Sequence, residues 1–163
     1  MTQSDFNLKI MKWFEAYIPQ LLDPTTKELS FDWLGDEATS YSIDNIVVPA
    51  VLREFILGDE ERQLVIWLRA TQNWNRFAVN NTENLDVFKD VEKEIKKLNR
   101  QKKFPDLGQN KTVLKVEVTT VPYLDRTEAT GTGTGIYVLQ LRFVYVEHIP
   151  QDENRKFNIP HRW

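Results

Sequence analysis

The stretch Ile136-Tyr-Val-Leu-Gln-Leu-Arg-Phe-Val-Tyr-Val146 decides the fold of this chain. Large apolar side chains recur at every second position from Tyr137 to Tyr145, and the positions between them include Gln140 and Arg142. A two-residue period is typical of an antiparallel strand with one buried face. We therefore predict a long strand here, with Gln140 and Arg142 on the face away from the core.

The same period or a β-prone composition predicts four further strands in other parts of the chain. These are Thr112–Thr120, Tyr41–Val48, and a hairpin that joins Val51–Leu57 to Arg62–Arg69 across Gly58-Asp59. In the last of them, Leu64, Ile66 and Leu68 share one face, while Trp67 and Arg69 lie on a face that also carries Gln63. Because this second face mixes polar and apolar groups, we expect it to be partly solvated or covered by another subunit.

Apolar side chains at spacings of three and four predict two helices. The first runs from Ser4 to Ile18, and the second starts at an N-cap, Thr82, and ends in a basic segment before Phe104-Pro105. We therefore predict an α+β fold: a single antiparallel or mixed sheet of about five strands, with two main helices packed on one face. One domain spans residues 1–147, and residues 148–163 form a C-terminal extension of it that we expect to be flexible.

Composition excludes several classes of function. The 163 residues include no Cys, which removes disulfides, zinc–thiolate sites and thiol nucleophiles, and 21 Lys and Arg against 24 Asp and Glu leave a net charge of −3. Such a chain has no strong bulk attraction for DNA phosphates. The N-terminus lacks a basic segment followed by an apolar run, and no stretch approaches the roughly 20 apolar residues that span a bilayer. We expect neither a signal peptide nor a membrane span.

The residues that could carry chemistry do not form a known catalytic or metal-binding motif. The sequence Thr130-Gly-Thr-Gly-Thr-Gly leads into a strand and has no lysine, so it favours a strand connection over a phosphate loop. The histidines, His148 and His161, favour solvated surface positions over a metal site. We predict a non-enzymatic chain with no cofactor or metal. The alternatives are a small-molecule enzyme with a carboxylate pair, drawn from Asp32, Asp36 and Asp59–Glu61, and a DNA-binding accessory protein that uses Arg100–Lys103.

The order and texture of several segments resemble a family of phage proteins. The segments are Tyr41-Ser-Ile, Leu52–Gly58 with the strand ending at Arg69, Glu83-Asn-Leu with its helix, Phe104-Pro-Asp-Leu-Gly, Val113–Val118, Tyr123-Leu, and Gly135 to Tyr145. Over Met1–Glu147 the chain resembles the tail terminators of long-tailed bacteriophages, small proteins that are sometimes labelled minor capsid protein.

The resemblance implies a structural virion protein that forms a hexameric ring, ends the tail tube and joins the tail to the head connector. Its implied partners are other copies of itself, the major tail tube protein and the head-completion or connector (stopper) protein. DNA would pass through the ring without specific binding, and no membrane is involved. The implied location is the tail–neck junction of the virion, after synthesis in the bacterial cytoplasm. The family has no enzyme active site to carry over.

A ring needs separate complementary surfaces on each subunit, which suggests two sets of candidate residues. For the contact between subunits we choose the outer face of the hairpin and polar strand positions, namely Arg53, Phe55, Trp67, Arg69, Gln140 and Arg142. For docking to the tube or connector we choose the loop that contains Asp125, Arg126, Thr130, Gly131, Gly133 and Gly135. We also expect the acidic residues Asp59–Glu61 at the hairpin tip, solvated or lining a channel.

Overall fold

The computed structural model describes residues 3–18, 28–31, 40–74, 78–127 and 133–150. Within these ranges lie two helices and seven strands. The helices are α1 (Gln3–Tyr17) and α2 (Ala78–Gln101). The strands are β1 (Glu28–Phe31), β2 (Ser40–Ile46), β3 (Val51–Glu54), β4 (Glu60–Asn73), β5 (Lys111–Val118), β6 (Tyr123–Thr127) and β7 (Thr134–Glu147).

Two long antiparallel strands, β4 and β7, form the centre of the sheet. Each has 14 residues, and they pair without a register shift from Glu60 opposite Glu147 to Asn73 opposite Thr134. At about 3.3 Å per residue, this pair is roughly 46 Å long. Because the flanking strands pair with β4 or β7, the register of this central pair determines which of their side chains lie on the same face of the sheet.

The remaining strands lie along the two outer edges of this central pair. β2 and then β3 pair with β4, while β5 and then β6 pair with β7, all antiparallel. β1 joins β2 in parallel, so the sheet is mixed, with the order β1-β2-β4-β7-β5. The β3–β4 turn lies at one end of the sheet, and the β6–β7 connection lies at the other.

Both helices pack on the same face of the sheet and build one core. From α1, Ile10, Trp13 and Phe14 meet the apolar positions of β7, and the ring of Trp13 lies edge-on to Phe143. The apolar stripe of α2 contributes Phe88, Val91, Ile95 and Leu98 to the same core. The Trp13 indole also donates a hydrogen bond to the Lys103 carbonyl at 2.9 Å, which ties α1 to the segment after α2. Among the described residues, no helix is long and apolar enough to cross a membrane.

The predicted α+β fold, with a single sheet and the helices on one face, is confirmed. The strand count is corrected from about five to seven, because β1 and β6 lie in segments for which we predicted no strand. β1 is only four residues long, and β6 is an edge strand whose side chains have no alternating pattern. The N-cap predicted at Thr82 is wrong, since α2 already begins at Ala78.

Candidate assembly surface

The sheet face opposite the helices is the first candidate surface, and we call it the open face. Directly opposed residues in antiparallel strands share a face, so the register places side chains from four strands together here. They include Ser42 and Asp44 of β2, Val65, Trp67 and Arg69 of β4, Val138, Gln140, Arg142 and Val144 of β7, and Lys115 and Glu117 of β5.

An ion pair closes one side of the open face. The Arg69 guanidinium bonds to the Asp44 carboxylate, and the Ser42 hydroxyl donates to the other carboxylate oxygen at 3.0 Å. The Asp44 side chain is largely buried, and these two partners replace the hydrogen bonds that it would make to water. The ion pair with Asp44 holds the Arg69 guanidinium against the sheet, so this side chain does not extend into solvent.

Trp67 lies at the centre of the open face and is 38% exposed. Its indole N–H donates to the Gln140 side-chain oxygen at 3.1 Å, directly across the β4–β7 pair. This bond holds the indole ring in one orientation. A large amphipathic ring held in place in this way has the properties of an interface anchor.

A second charged group, centred on Glu117, closes the other side of the open face. Arg142 donates from Nε and Nη2 to one oxygen of the Glu117 carboxylate at 2.9 and 2.5 Å, and Lys115 lies 2.7 Å from the other oxygen. Desolvation pushes the pKa of Glu117 upwards, but the hydrogen bonds and charges of Lys115 and Arg142 outweigh it, and the pKa lies below its ordinary value of 4.5. Glu117 is therefore ionised at neutral pH.

An aliphatic layer lies beneath these polar groups. Val65, Val138 and Val144 belong to the open face by register, yet all three are buried. Mutually paired polar side chains cover them, and none of the described helices packs there. An apolar layer with a satisfied polar cover and a central aromatic ring resembles the composition of a protein interface more than that of plain surface.

The β3–β4 hairpin is the second candidate surface. Its turn is closed by hydrogen bonds from the Phe55 N–H to the Asp59 carbonyl and from the Gly58 N–H to the Phe55 carbonyl, both at 2.8 Å. Gly58 has φ +95°, a conformation that favours glycine. Between these bonds, Ile56 is fully exposed and Leu57 is 77% exposed.

The acidic hairpin tip that we predicted is wrong for Glu60 and Glu61, and of the three residues only Asp59 lies in the turn. The tip is apolar, and Glu60 and Glu61 lie within β4, where they pair with Arg62 at 2.6 Å and Arg53 at 3.6 Å. The strand pattern begins two residues earlier than expected, because these acidic side chains gain arginine partners.

Asp59 fastens the hairpin turn to the segment that follows β7. Its carboxylate accepts hydrogen bonds from the Ile149 N–H at 2.9 Å and lies 3.0 Å from the His148 ring, whose other nitrogen is 3.0 Å from the Thr112 hydroxyl. The Ile149 N–H and then His148 hold the pKa of Asp59 below its ordinary range. His148 is thus part of a structural clasp and not simply a solvated surface residue. His161 lies outside the described residues.

The structure brings together only some of the residues chosen as contacts between subunits. Trp67, Arg69, Gln140 and Arg142 form one cluster in the middle of the open face. Arg53 lies opposite Glu61, hence on the same face, and its guanidinium lies 4.8 Å from the centre of the Phe55 ring. Glu61 and Trp67 are six positions apart in β4, or roughly 20 Å. The candidates therefore divide into a central cluster and a hairpin pair.

The residues chosen for docking to the tube or connector lie at the opposite end of the sheet from the hairpin. Asp125 and Arg126 are in β6, and Gly135 is already in β7, while Thr130 and Gly131 fall outside the described residues. Gly133 has φ +69°, and its carbonyl accepts a hydrogen bond from the Trp74 N–H at 2.6 Å. A Cβ on Gly135 would lie 3.0 Å from Leu124 Cδ1 and 3.2 Å from Trp74 Cβ, so a larger residue there would press on both side chains.

A shallow cleft of about 410 Å³ lies beside the clasp and is lined by two carboxylates. It therefore bears on the alternative function as an enzyme with a carboxylate pair. Glu60 and Glu147 both line it, but Arg62 lies within 2.6 and 3.5 Å of their carboxylates, and Lys111 lies 3.3 Å from Glu147. Each of these two carboxylates therefore has a cationic partner. Asp32 and Asp36, the other carboxylates named for this alternative, lie outside the described residues. In the part of the chain that the structure describes, no three His, Asp or Glu residues form a group that could hold a metal.

Several members of the surface were not among the residues chosen from the sequence. Asp44, Glu117 and Lys115 complete the two charged groups of the open face. No motif in their own strands predicted this. Only the assembled sheet identifies Arg69 as the partner of Asp44 and Arg142 as the partner of Glu117.

Comparisons of the sequence with known protein families and with curated proteins do not assign the chain to a family. No protein-family model matches the chain, and no curated protein matches it.

Proposed function

We propose that this chain is a structural, non-enzymatic protein of a long-tailed bacteriophage, which forms a hexameric ring that ends the tail tube and joins the tail to the head connector. The resemblance over residues 1–147 supports this assignment. The single structural observation that carries it is the exposed apolar turn between β3 and β4, where Ile56 is fully exposed and Leu57 is 77% exposed, together with Val47, which is fully exposed just after β2. Exposed apolar groups of this kind mark interaction sites, and a subunit of an assembly covers them when it meets its neighbours.

The two ends of the sheet suit different partners. The hairpin and the clasp lie at one end, and the connection between β6 and β7 lies at the other, with roughly 46 Å of paired strand between them. A ring subunit needs contacts to its neighbours and separate contacts to the structures above and below it. We assign the open face and hairpin to neighbouring copies, and the end containing Asp125, Gly133 and Gly135 to the tube protein or the connector protein.

The charge of the chain fits a passive channel for DNA. The net charge is −3, so the chain as a whole has no strong attraction for DNA phosphates. DNA binding needs several unpaired cations facing the phosphates. The ring would therefore let DNA pass without specific binding, at the tail–neck junction of a virion assembled in the bacterial cytoplasm.

Charged substitutions on the proposed contact surfaces test the assignment. We expect Trp67→Glu and Phe55→Glu to abolish ring formation and to leave phage lacking the wild-type chain without infectious particles. Both side chains are more than a third exposed, so the domain should still fold. The matched control is Lys93→Glu on the exposed side of α2, which should complement fully. Full complementation by both aromatic variants would contradict the assignment of these surfaces.

A further inference from the structure

The turn between β3 and β4 exposes three consecutive apolar side chains, which we call the hairpin patch. Phe55 is 36% exposed, Ile56 is fully exposed and Leu57 is 77% exposed. None of the three belongs to the core that the helices and the sheet form. Apolar surface of this kind is normally covered by another segment of the chain or by another molecule.

The chain that follows β7 is fixed directly beside this turn. The ring of His148 lies 3.0 Å from the Asp59 carboxylate, and the Ile149 N–H donates to the same carboxylate at 2.9 Å. The Ile149 side chain packs so closely on Gly58 that no space is left for a Cβ there. The described part of the chain therefore ends at Pro150, one residue after a contact with the turn.

Residues 151–163, which we call the 151–163 segment, start at the hairpin end of the sheet. The other internal segments outside the described residues adjoin elements elsewhere. Residues 75–77 follow the end of β4 and residues 128–132 follow β6, both at the opposite end of the sheet. Residues 19–27 and 32–39 adjoin β1, which through β2 lies level with the far half of β4. The 151–163 segment is therefore the one placed to cover the hairpin patch.

The length of the 151–163 segment suits this contact. Leu57 directly precedes Gly58, on which Ile149 packs, and Phe157 follows Ile149 by eight positions, which an extended chain spans over roughly 26–29 Å. The same tether keeps the segment at roughly millimolar effective concentration around the patch. A contact too weak to form between separate molecules therefore forms within one chain, which favours this segment over a second copy.

The sequence of the segment supplies apolar side chains at a useful spacing. Phe157 and Ile159 are two positions apart, and Trp163 follows them. Pro160 favours an extended backbone at the residue before it, and side chains two positions apart in an extended chain lie on the same side. Phe157 and Ile159 can therefore contact the patch together.

The charges on the two sides are opposite. Residues 155–163 contain Arg155, Lys156 and Arg162 and no acid. Beside the patch, Glu54 is exposed and forms no ion pair with any other described residue. At this end of the sheet the acids outnumber the bases, namely Glu54, Asp59, Glu60, Glu61 and Glu147 against Arg53, Arg62 and Lys111. Exposed ion pairs contribute little each, so the apolar contacts supply the affinity and the charges orient the segment.

We propose that residues 155–163 fold back from Pro150 and cover the hairpin patch of their own chain. Phe157 and Ile159 pack on the turn, and the basic residues before them face Glu54. The contact competes with anything else that binds the hairpin. Under the proposed function, the segment must leave the hairpin before another copy can bind there. That consequence rests on the proposed function, whereas the contact itself does not.

The absence of cysteine from the chain permits a direct test in the full-length protein. Ile56→Cys places a thiol in the patch, and Asn158→Cys places one between the two apolar residues of the segment. Equilibration with reduced and oxidised glutathione gives the effective concentration of the two thiols from the ratio of intramolecular disulfide to glutathione-linked protein. The matched control pairs Asn158→Cys with Gln109→Cys, because Gln109 is exposed and lines the same cleft as Pro150.

We expect the effective concentration for positions 56 and 158 to be at least about tenfold higher than for positions 109 and 158. Equal values would mean that the segment does not bind the patch. Disulfide-linked dimers in place of the intramolecular disulfide, with a yield that rises with protein concentration, would assign the patch to a second copy. Either result would overturn the proposal.

A second measurement tests the apolar contact and leaves the folded domain unchanged. Adding Phe157→Ser and Ile159→Ser to the protein with cysteines at 56 and 158 should lower its effective concentration to the level of the Gln109 control. Gln151→Ser with Asn154→Ser, in the same segment, should leave the high value unchanged. A value that survives the loss of both apolar side chains would contradict the contact.

These experiments also separate this proposal from the proposed function. A high effective concentration for positions 56 and 158, in a chain whose loss leaves phage tails normal, would preserve the contact and overturn the terminator role. Defective phage tails in the absence of the chain, combined with equal values for positions 56 and 109, would overturn only the contact.

Discussion

Substitution of Asn99 should show most clearly how the outer edge of β5 is kept from pairing with another strand. Its side chain accepts a hydrogen bond from the Val116 N–H at 2.8 Å and donates to the Val116 and Ile95 carbonyls, the latter at 3.1 Å. The Asn99 side chain on α2 therefore satisfies both the N–H and the C=O of Val116, two groups that point away from β7. Replacement by alanine removes all of these bonds.

The magnitude follows from the two bonds to Val116. A hydrogen bond contributes roughly 0.5–1.5 kcal/mol net, so Asn99→Ala should lose roughly 1–3 kcal/mol. Alanine returns about 0.6 kcal/mol because it is the better helix former. We expect a net loss of about 1.5 kcal/mol, which lowers Tm by roughly 3–6 °C in a domain of this size.

Urea unfolding, followed by tryptophan fluorescence and circular dichroism, measures this difference. Asn99→Asp is an informative second variant, because it keeps an acceptor for the Val116 N–H but places a carboxylate against the Val116 carbonyl. It should be no more stable than Asn99→Ala. Lys97→Ala, exposed on the same helix, is the matched control and should change stability little. If Asn99→Ala were as stable as the wild-type protein, the proposed protection of the edge would be refuted.

Three further predictions concern other parts of the fold. Gly135→Ala should destabilise the domain by roughly 1–3 kcal/mol through overpacking against Leu124 and Trp74, as measured by urea unfolding, and an unchanged midpoint would contradict the packing. The pKa of Glu117 is lowered in the folded state, so its contribution is present above pH 4.5 and is lost as the pH falls through the folded-state pKa. Glu117→Gln should therefore lower the urea midpoint at pH 7 and have less effect at pH 3; an equal effect at both would contradict the linkage. Asp59→Asn should speed hydrogen exchange of the Ile149 amide, and an unchanged rate would argue against the clasp.

The sequence predicted those parts of the fold in which large apolar side chains recur at every second position of a strand or along one face of a helix. The stretch from Ile136 to Val146 has that pattern because one face meets both helices, and it lies within β7. β6 has no such pattern, since Tyr123, Leu124 and Asp125 are all exposed at the edge of the sheet. β1 is held by parallel pairing to β2, which local sequence does not encode.

The candidate site was predictable to a similar degree. Alternation placed Trp67, Gln140 and Arg142 on the outer face, but it could not reveal that Trp67 bonds to Gln140, because the register joins residues 73 positions apart. The Asp59–His148 contact spans 89 positions and depends on the β3–β4 turn lying beside the end of β7. Contacts between residues so far apart in the sequence form only when the sheet has assembled, so no local motif predicts them.

Electron microscopy of phage particles made without this chain tests the central claim most directly. Tail lengths and head attachment would be scored for particles lacking the chain and for particles complemented with the wild-type chain. We predict tails of uncontrolled length, or tails detached from heads, and restoration of uniform attached tails on complementation. Normal attached tails of uniform length in its absence would contradict the terminator function.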